Sequence, residues 1–247
     1  MKRLVAPLLL LTVVLLYAGD AQAQTLDLDK LLPGAGSSVS GRMIQIFAVL
    51  TVLSVAPGLL IMVTSFTRFV VALSFLRSGI GLQSTPSNII LISLALFMTF
   101  YVMTPTFDRA WENGVRPLME NSITEQEAMV RISTPFREFM LAQVREKDLK
   151  LFSELAREKF KVNSEDVVDF RILIPAFMIS ELRRGFEIGF LIAIPFLVID
   201  MIVATLTMSM GMMMMPPSVI ALPVKVLFFV LIDGWNMLVG SLVRSVV

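Results

Sequence analysis

The sequence predicts an all-α, membrane-associated protein in which two apolar helical regions flank a polar helical centre. Three observations predict it. The 247 residues are 56% hydrophobic and only 17% charged, whereas a soluble globular domain is about 45–50% apolar and about 25% charged. The charges are segregated: residues 108–184 hold 13 of the 21 Lys and Arg and 14 of the 20 Asp and Glu. And nowhere does polarity alternate with the period of two that a half-buried strand requires.

The chain opens on "MKRLVAPLLLLTVVLLYAGDAQAQ". Lys2 and Arg3 form a basic start, Leu4–Ala18 is a short apolar core, and Ala21-Gln22-Ala23 has the small-x-small order of a signal-peptidase site. Residues 1–23 therefore read as a cleaved secretory signal, with Ala21 and Ala23 framing the site and Gln24 as the mature N-terminus. Residues 24–42 are polar and broken by Pro33-Gly34 and Gly36-Ser37-Ser38, which is loop chemistry.

The first hydrophobic hairpin is assigned to residues 43–107. It holds "MIQIFAVLTVLSVAPGLLIMVTSF", interrupted by Pro57-Gly58, and "NIILISLALFMTFYVM". Arg68 and Arg77 lie between the two stretches with no acid nearby. The positive-inside rule puts that connection in the cytoplasm. The chain then returns outward by about Met103, and residues 108–174 become a periplasmic polar region.

That region reads as amphipathic helix. Thr124-Glu125-Gln126-Glu127 is a capping box, and Thr134-Pro135 has the order of an N-cap followed by proline at the first helical position. Phe136, Phe139 and Met140, then Phe152, Leu155 and Ala156, recur at helical spacing. Lys147, Lys150, Arg157, Lys159 and Lys161 alternate with acids, as on a solvated face.

Residues 175–247 form the second hydrophobic hairpin, with the run "SMGMMMMPP" at 209–217 between its arms. Asp200 lies in one arm, Lys225 and Asp233 in the other. A charge inside an apolar helix costs roughly 2.5–3.5 kcal/mol on insertion scales and marks pairing or function. Asp200 and Lys225 are therefore expected to be buried and paired, within one subunit or across a subunit boundary. Gly185-x-x-x-Gly189 would let two helices approach closely.

The composition excludes whole classes of function. There is no Cys and no His, which removes disulfides, imidazole and thiolate metal sites, and Ser-His-Asp or Cys-His catalysis. No glycine-rich phosphate loop or catalytic carboxylate pair is present, so neither an enzyme nor a cofactor is expected. A net charge of +1 lacks the basic excess of a nucleic-acid binder.

Two segments, "PAFMISELRRGFEIGF" (175–190) and "PVKVLFFVLIDGW" (223–235), resemble the signature stretches of the FliP family of flagellar type III export proteins. "GMMMMPP" (211–217) is similar to that family's methionine loop, and the order of leader, apolar pair, polar centre and apolar pair is the family's as well. The resemblance covers essentially the whole chain. It implies kinked helical hairpins, packed subunit to subunit into a ring that stands largely above the bilayer plane. Such a ring comprises about five copies together with FliQ and FliR, next to FlhA and FlhB in the basal body at the bacterial inner membrane. It further implies a core channel subunit that passes unfolded flagellar proteins outward. On this reading Glu181, Asp200, Lys225 and Asp233 are buried charges of assembly rather than lipid-facing residues.

The resemblance also assigns Met212, Met213 and Met214 to a gasket, with Met215 beside them. Methionine is apolar, unbranched and adaptable, which suits a seal that closes on itself or around bulky substrates, and Pro216 and Pro217 keep the loop short. Related injectisome export gates share the core, but the leader favours the flagellar branch. A small-ion or soft-metal transporter is the other reading of Met-rich sequence, poorly served without Cys or His. A non-conducting scaffold would have no use for the methionine loop.

Overall fold

The computed structural model describes residues 39–160, 169–211 and 216–246. Among them it is mostly helical, with no strand. The leader with Ala21 and Ala23, and the run Met212–Met215, lie outside the described residues. The chain divides into two units, one ending at Ser54 and the other starting at Val55. Of the first unit, the described part is the opening of helix α1 (Val39–Met62), whose Met43, Ile44, Phe47 and Leu50 are exposed. Thr51 Oγ1 there donates to the Phe47 carbonyl at 2.8 Å.

The second unit begins within α1, which runs unbroken through Pro57 and Gly58. The interruption expected at that dipeptide falls instead at Val63–Ser65, where Thr64 and Ser65 are buried. Then comes α2 (Phe66–Ile80), in the stretch the sequence reading took for a connection. Phe66, Phe69, Leu73, Leu76 and Ile80 bury one face at helical spacing. The helix stops at Gly81, whose φ of 90° is left-handed. The N–H groups of Gly81 and Leu82 cap the Ser78 and Arg77 carbonyls at 3.1 Å.

Helix α3 (Asn88–Ala110) passes through one π turn, Trp111–Val115, into the short α4 (Arg116–Met119). The widened turn puts Gly114 against the next helix, α5 (Glu125–Gln143), so closely that a Cβ would lie 2.4 Å from Ile132. Thr124 caps α5 as expected, accepting the Glu127 N–H at 3.3 Å. The second start proposed at Thr134-Pro135 is absent. Pro135 is buried inside α5, and the Thr134 hydroxyl donates back to the Val130 carbonyl at 2.8 Å. Proline removes one helical hydrogen bond, but here both neighbouring turns are held by tertiary packing. Helix α6 (Glu146–Phe160) completes the polar region.

Helix α7 (Phe170–Ser209) is 40 residues long and continues through Pro175 and Pro195. At 1.5 Å per residue it spans about 60 Å, twice the hydrocarbon thickness of a bilayer. It starts in the region read as polar, with the Asp169 carboxylate accepting the Arg171 N–H at 2.9 Å. Beyond the methionine run, α8 (Pro217–Leu231) and α9 (Gly234–Arg244) divide what looked like one apolar arm. They bend by 66° at Ile232-Asp233.

The core lies where α2 packs along α7. Gly185 and Gly189 make that approach possible: a Cβ at 189 would sit 2.7 Å from the Phe75 ring, and one at 185 would lie 3.2 Å from the Arg68 carbonyl. Phe69, Leu73 and Leu76 meet Phe196, Phe229, Leu238 and Leu242 in the main cluster. A smaller one joins Met140 of α5 to Leu173 and Phe177 of α7. Outside this core the apolar surface is extensive. Ile89, Phe97 and Phe100 of α3, Phe190, Leu197 and Met201 of α7, and Leu227 and Val230 of α8 are all exposed. Two segments, Asn88–Met119 and Phe170–Ser209, are long and apolar enough to cross a membrane.

Candidate functional site

Two ion pairs fasten the apolar helices, one at each end of the α2–α7 contact. The first is fully buried. Arg68 of α2 and Glu181 of α7 are both 0% exposed. Arg68 Nε donates to Glu181 Oε2 at 3.0 Å and Nη2 donates to Oε1, making a two-armed fork. Glu181 was legible as a buried charge, but its partner was missed, because Arg68 had been read as a cytoplasmic loop cation. An arginine neutralised inside a helix packing says nothing about which side of a membrane its loop faces. The spacing that could have found it is Arg68 beside Phe69, one turn before Ala72 and Leu73, on the apolar face of a helix with no acid of its own.

The second pair joins Lys225 of α8 to Asp200 of α7. Lys225 Nζ lies 2.6 Å from Asp200 Oδ2 and donates also to the Gly79 carbonyl at 3.0 Å. The partners differ in burial: Lys225 is 5% exposed, but the Asp200 side chain is 41% exposed. Within the single chain the expected burial holds for Lys225 and not for Asp200, which faces a cleft of about 510 Å³ lined by Ser78, Gln83, Pro217 and Ser218. One side of the carboxylate faces that cleft while the other holds the buried ammonium. Asp233 is likewise not buried within the single chain. It is exposed, with φ 52° and ψ 50°, and makes the left-handed turn between α8 and α9. Asp tolerates that backbone better than most residues, and this is a reason for it to stand there without any buried partner.

A third polar cluster escaped the sequence reading. Ser180 of α7 is fully buried, and its one hydroxyl hydrogen has Asp148 Oδ2 of α6 at 2.6 Å as its nearer acceptor, with the Ala176 carbonyl at 2.9 Å sharing it. The Ser180 oxygen accepts the Arg145 backbone N–H at 3.1 Å, and Arg145 also forks onto Asp148 at 2.9 Å. Burial by itself would raise the Asp148 carboxyl pKa. The hydrogen bonds from Ser180 and Arg145 and the Arg145 charge outweigh it and hold the group below its ordinary value. Stability from a depressed carboxyl is present above the unfolded pKa, about 3.9 for Asp, and is lost as pH falls through the lower folded value. Replacing Ser180 by Ala is therefore expected to cost about 1 kcal/mol at neutral pH and to move the acid-unfolding midpoint upward, as followed by circular dichroism in detergent.

Among the described residues no three His, Cys, Asp or Glu side chains group as a metal site. The arrangement is one of fastened helices with large apolar faces left over. The sequence profile of the FliP family matches residues 49–242, a range that includes both ion pairs and the methionine run. The flagellar biosynthetic protein FliP of Agrobacterium fabrum is 63% identical over 239 residues, covering 96% of this chain and 98% of its own length. The chain belongs to the FliP family. Its relatives of the same name include that of Rhizobium meliloti, 65% identical over 92% of this chain and 94% of the relative. The Bacillus subtilis protein is 49% identical over 82% of this chain and 91% of its own. The FliP-family match agrees with the exposed apolar helices in making this a membrane protein.

Proposed function

We propose that this chain is a channel-forming subunit of the flagellar type III export gate in the bacterial inner membrane, passing unfolded flagellar proteins outward. The observation that carries the reading is the match to flagellar FliP proteins along almost the entire chain. The geometry supports it in two ways. Helix α7 is about twice as long as a bilayer core is thick, so part of it stands outside the membrane. The exposed apolar faces of α3, α7 and α8 exceed what a monomer leaves open to water, and further copies of the chain, FliQ, FliR and lipid are proposed to cover them. FlhA and FlhB complete the proposed gate. Purifying the tagged chain in mild detergent tests the class. Two small hydrophobic partners in a stable high-mass assembly are expected, and a chain recovered alone or only with soluble proteins would overturn it.

Within that assembly Met212, Met213 and Met214, with Met215 beside them, are proposed to seal the resting channel. Thioether side chains adapt to each other and to a passing chain because they are unbranched and polarizable. Replacing Met212, Met213 and Met214 together by Ala is expected to leave assembly intact on a native gel and to raise ion leak in cells producing the complex. Leu at the same positions should seal better than Ala and pass substrate less well. Normal assembly with no added leak would return these methionines to ordinary packing.

A further inference from the structure

The buried Arg68–Glu181 pair uses only part of its hydrogen-bonding capacity on itself. Arg68 Nη1 donates to the Ser245 carbonyl at 2.5 Å and lies 3.3 Å from the Ser245 hydroxyl. Arg68 Nη2 also reaches Gln143 Oε1 at 3.1 Å, and Arg184 Nη1 meets the same oxygen at 2.6 Å. Guanidinium groups only donate, so two of them on one side of Gln143 fix its carboxamide with the oxygen toward them. The Gln143 amide nitrogen must then point the other way. It does, donating to the Val246 carbonyl at 2.9 Å.

Helix ends carry carbonyls that no later N–H can satisfy. Past the end of α9 the Ser245 and Val246 carbonyls are taken by α2 and α5, far away in sequence. Apolar packing alone ties α9 down less specifically: Leu238, Leu242 and Val246 face the core, while Trp235, Asn236 and Met237 are exposed. Within α8, Lys225 reaches Asp200 and the Gly79 carbonyl. The bent α8–α9 pair is thus held by polar contacts at two places, one in the middle of α8 and one past the end of α9, and each reaches α2.

The two fasteners differ in what release would leave behind. If Lys225 lets go, a buried ammonium loses its counter-charge. If the residues after α9 let go, Arg68 keeps both arms on Glu181, and Gln143 Oε1 keeps both guanidinium donors. No charge is orphaned. We infer that Arg68, Glu181 and Gln143 form a preformed socket and that the Ser245–Val246 backbone is its plug, making a releasable latch that sets the position of α9. The socket persists with the latch open, so α9 detaches without the α2–α7 core coming apart. This holds whatever the chain does in export.

Gln143→Glu separates the latch from general stability. Two guanidiniums flank the new carboxylate and keep it ionised, so it still accepts from Arg68 and Arg184. It has no donor for the Val246 carbonyl and repels it. A chain shortened after Arg244 removes the plug and leaves the socket. Hydrogen exchange of the complex purified in detergent, read by mass spectrometry, is expected to speed up over 234–244 in both variants. The rise should be about fivefold in Gln143→Glu, the scale of the one neutral hydrogen bond lost, and about tenfold or more in the shortened chain, which also loses the charge-assisted bond from Arg68. Exchange over 66–80 and 170–209 should stay as in the parent. Unchanged exchange over 234–244 in both variants overturns the latch. So does an equal rise in every helix, which would make the network a plain stabilising cluster.

Discussion

Replacing Arg68 by Met is expected to be the most damaging single change in the chain. It removes both arms of the fork from Glu181 and leaves a fully buried carboxylate between apolar helices. Breaking a buried pair from one side typically costs about 3–5 kcal/mol, because the remaining charge keeps its desolvation penalty and loses its compensation. The opposite single change, Glu181→Met, should cost less. Arg68 would still hold the Ser245 carbonyl and the Gln143 side-chain oxygen, so its guanidinium keeps hydrogen-bond acceptors although it loses its counter-charge. The double variant Arg68→Met/Glu181→Met should be closer to the parent than Arg68→Met alone, since apolar replacement of both partners is often nearly neutral. The thermal midpoint of the purified protein in detergent measures this, with native-gel yield as the cellular counterpart. A double variant as unstable as the sum of the two singles would mean that the pair contributes nothing through its own coupling.

How much of this was legible in the sequence depends on whether a residue's partner lies nearby in the chain or far away. The helical class, the polar centre and the α5 cap at Thr124 could all be read locally. Apolar composition, charge segregation and a four-residue cap each act within a few residues. Lys225 was legible as a buried charge because it stands in an apolar helical run, and Glu181 through the family resemblance of the stretch around it. Arg68 was not, because its partner is 113 residues away and a lone cation between apolar stretches has a simpler topological meaning. Helix α2 was lost with it: a stretch with two arginines looked like a connection until the face carrying Arg68 was seen packed on α7. Ser180 was missed for a related reason. A serine in an apolar helix carries no signal until Asp148 is brought to 2.6 Å from it. Pro57-Gly58 and Thr134-Pro135 failed in the other direction. Both are strong local breakers, and both helices run through them. Around Pro135 buried packing offsets the missing hydrogen bond, whereas at Pro57-Gly58 the exposed neighbours Val55 and Leu60 leave only the helix's own flanking turns to carry it. Asp233 was read as a buried charge from its apolar neighbours, but its backbone conformation, not its carboxylate, explains its place.

The unequal burial of the second pair turns a symmetric expectation into a directional one. Asp200→Asn is expected to be more harmful than Lys225→Met. Asn at 200 keeps an acceptor but withdraws the negative charge, so the ammonium of Lys225, 5% exposed, is left with the Gly79 carbonyl and a neutral amide. An unpaired buried polar group costs about 1–3 kcal/mol, and more when it is charged. Lys225→Met removes the buried charge itself and fills the space with an apolar chain of similar length. Asp200 is then left half-exposed at its cleft and not sealed in the core, so the loss should be smaller than for a buried ammonium without its counter-charge. Adding Lys225→Met to Asp200→Asn should accordingly restore assembly, because the double variant contains no buried charge. Native-gel yield of the complex and motility of cells carrying each variant provide the measurement. If Lys225→Met proves as defective as Asp200→Asn and the double variant recovers nothing, the pair acts through both charges at once. The cleft beside Asp200 would then be a place where the charge is used and not merely tolerated.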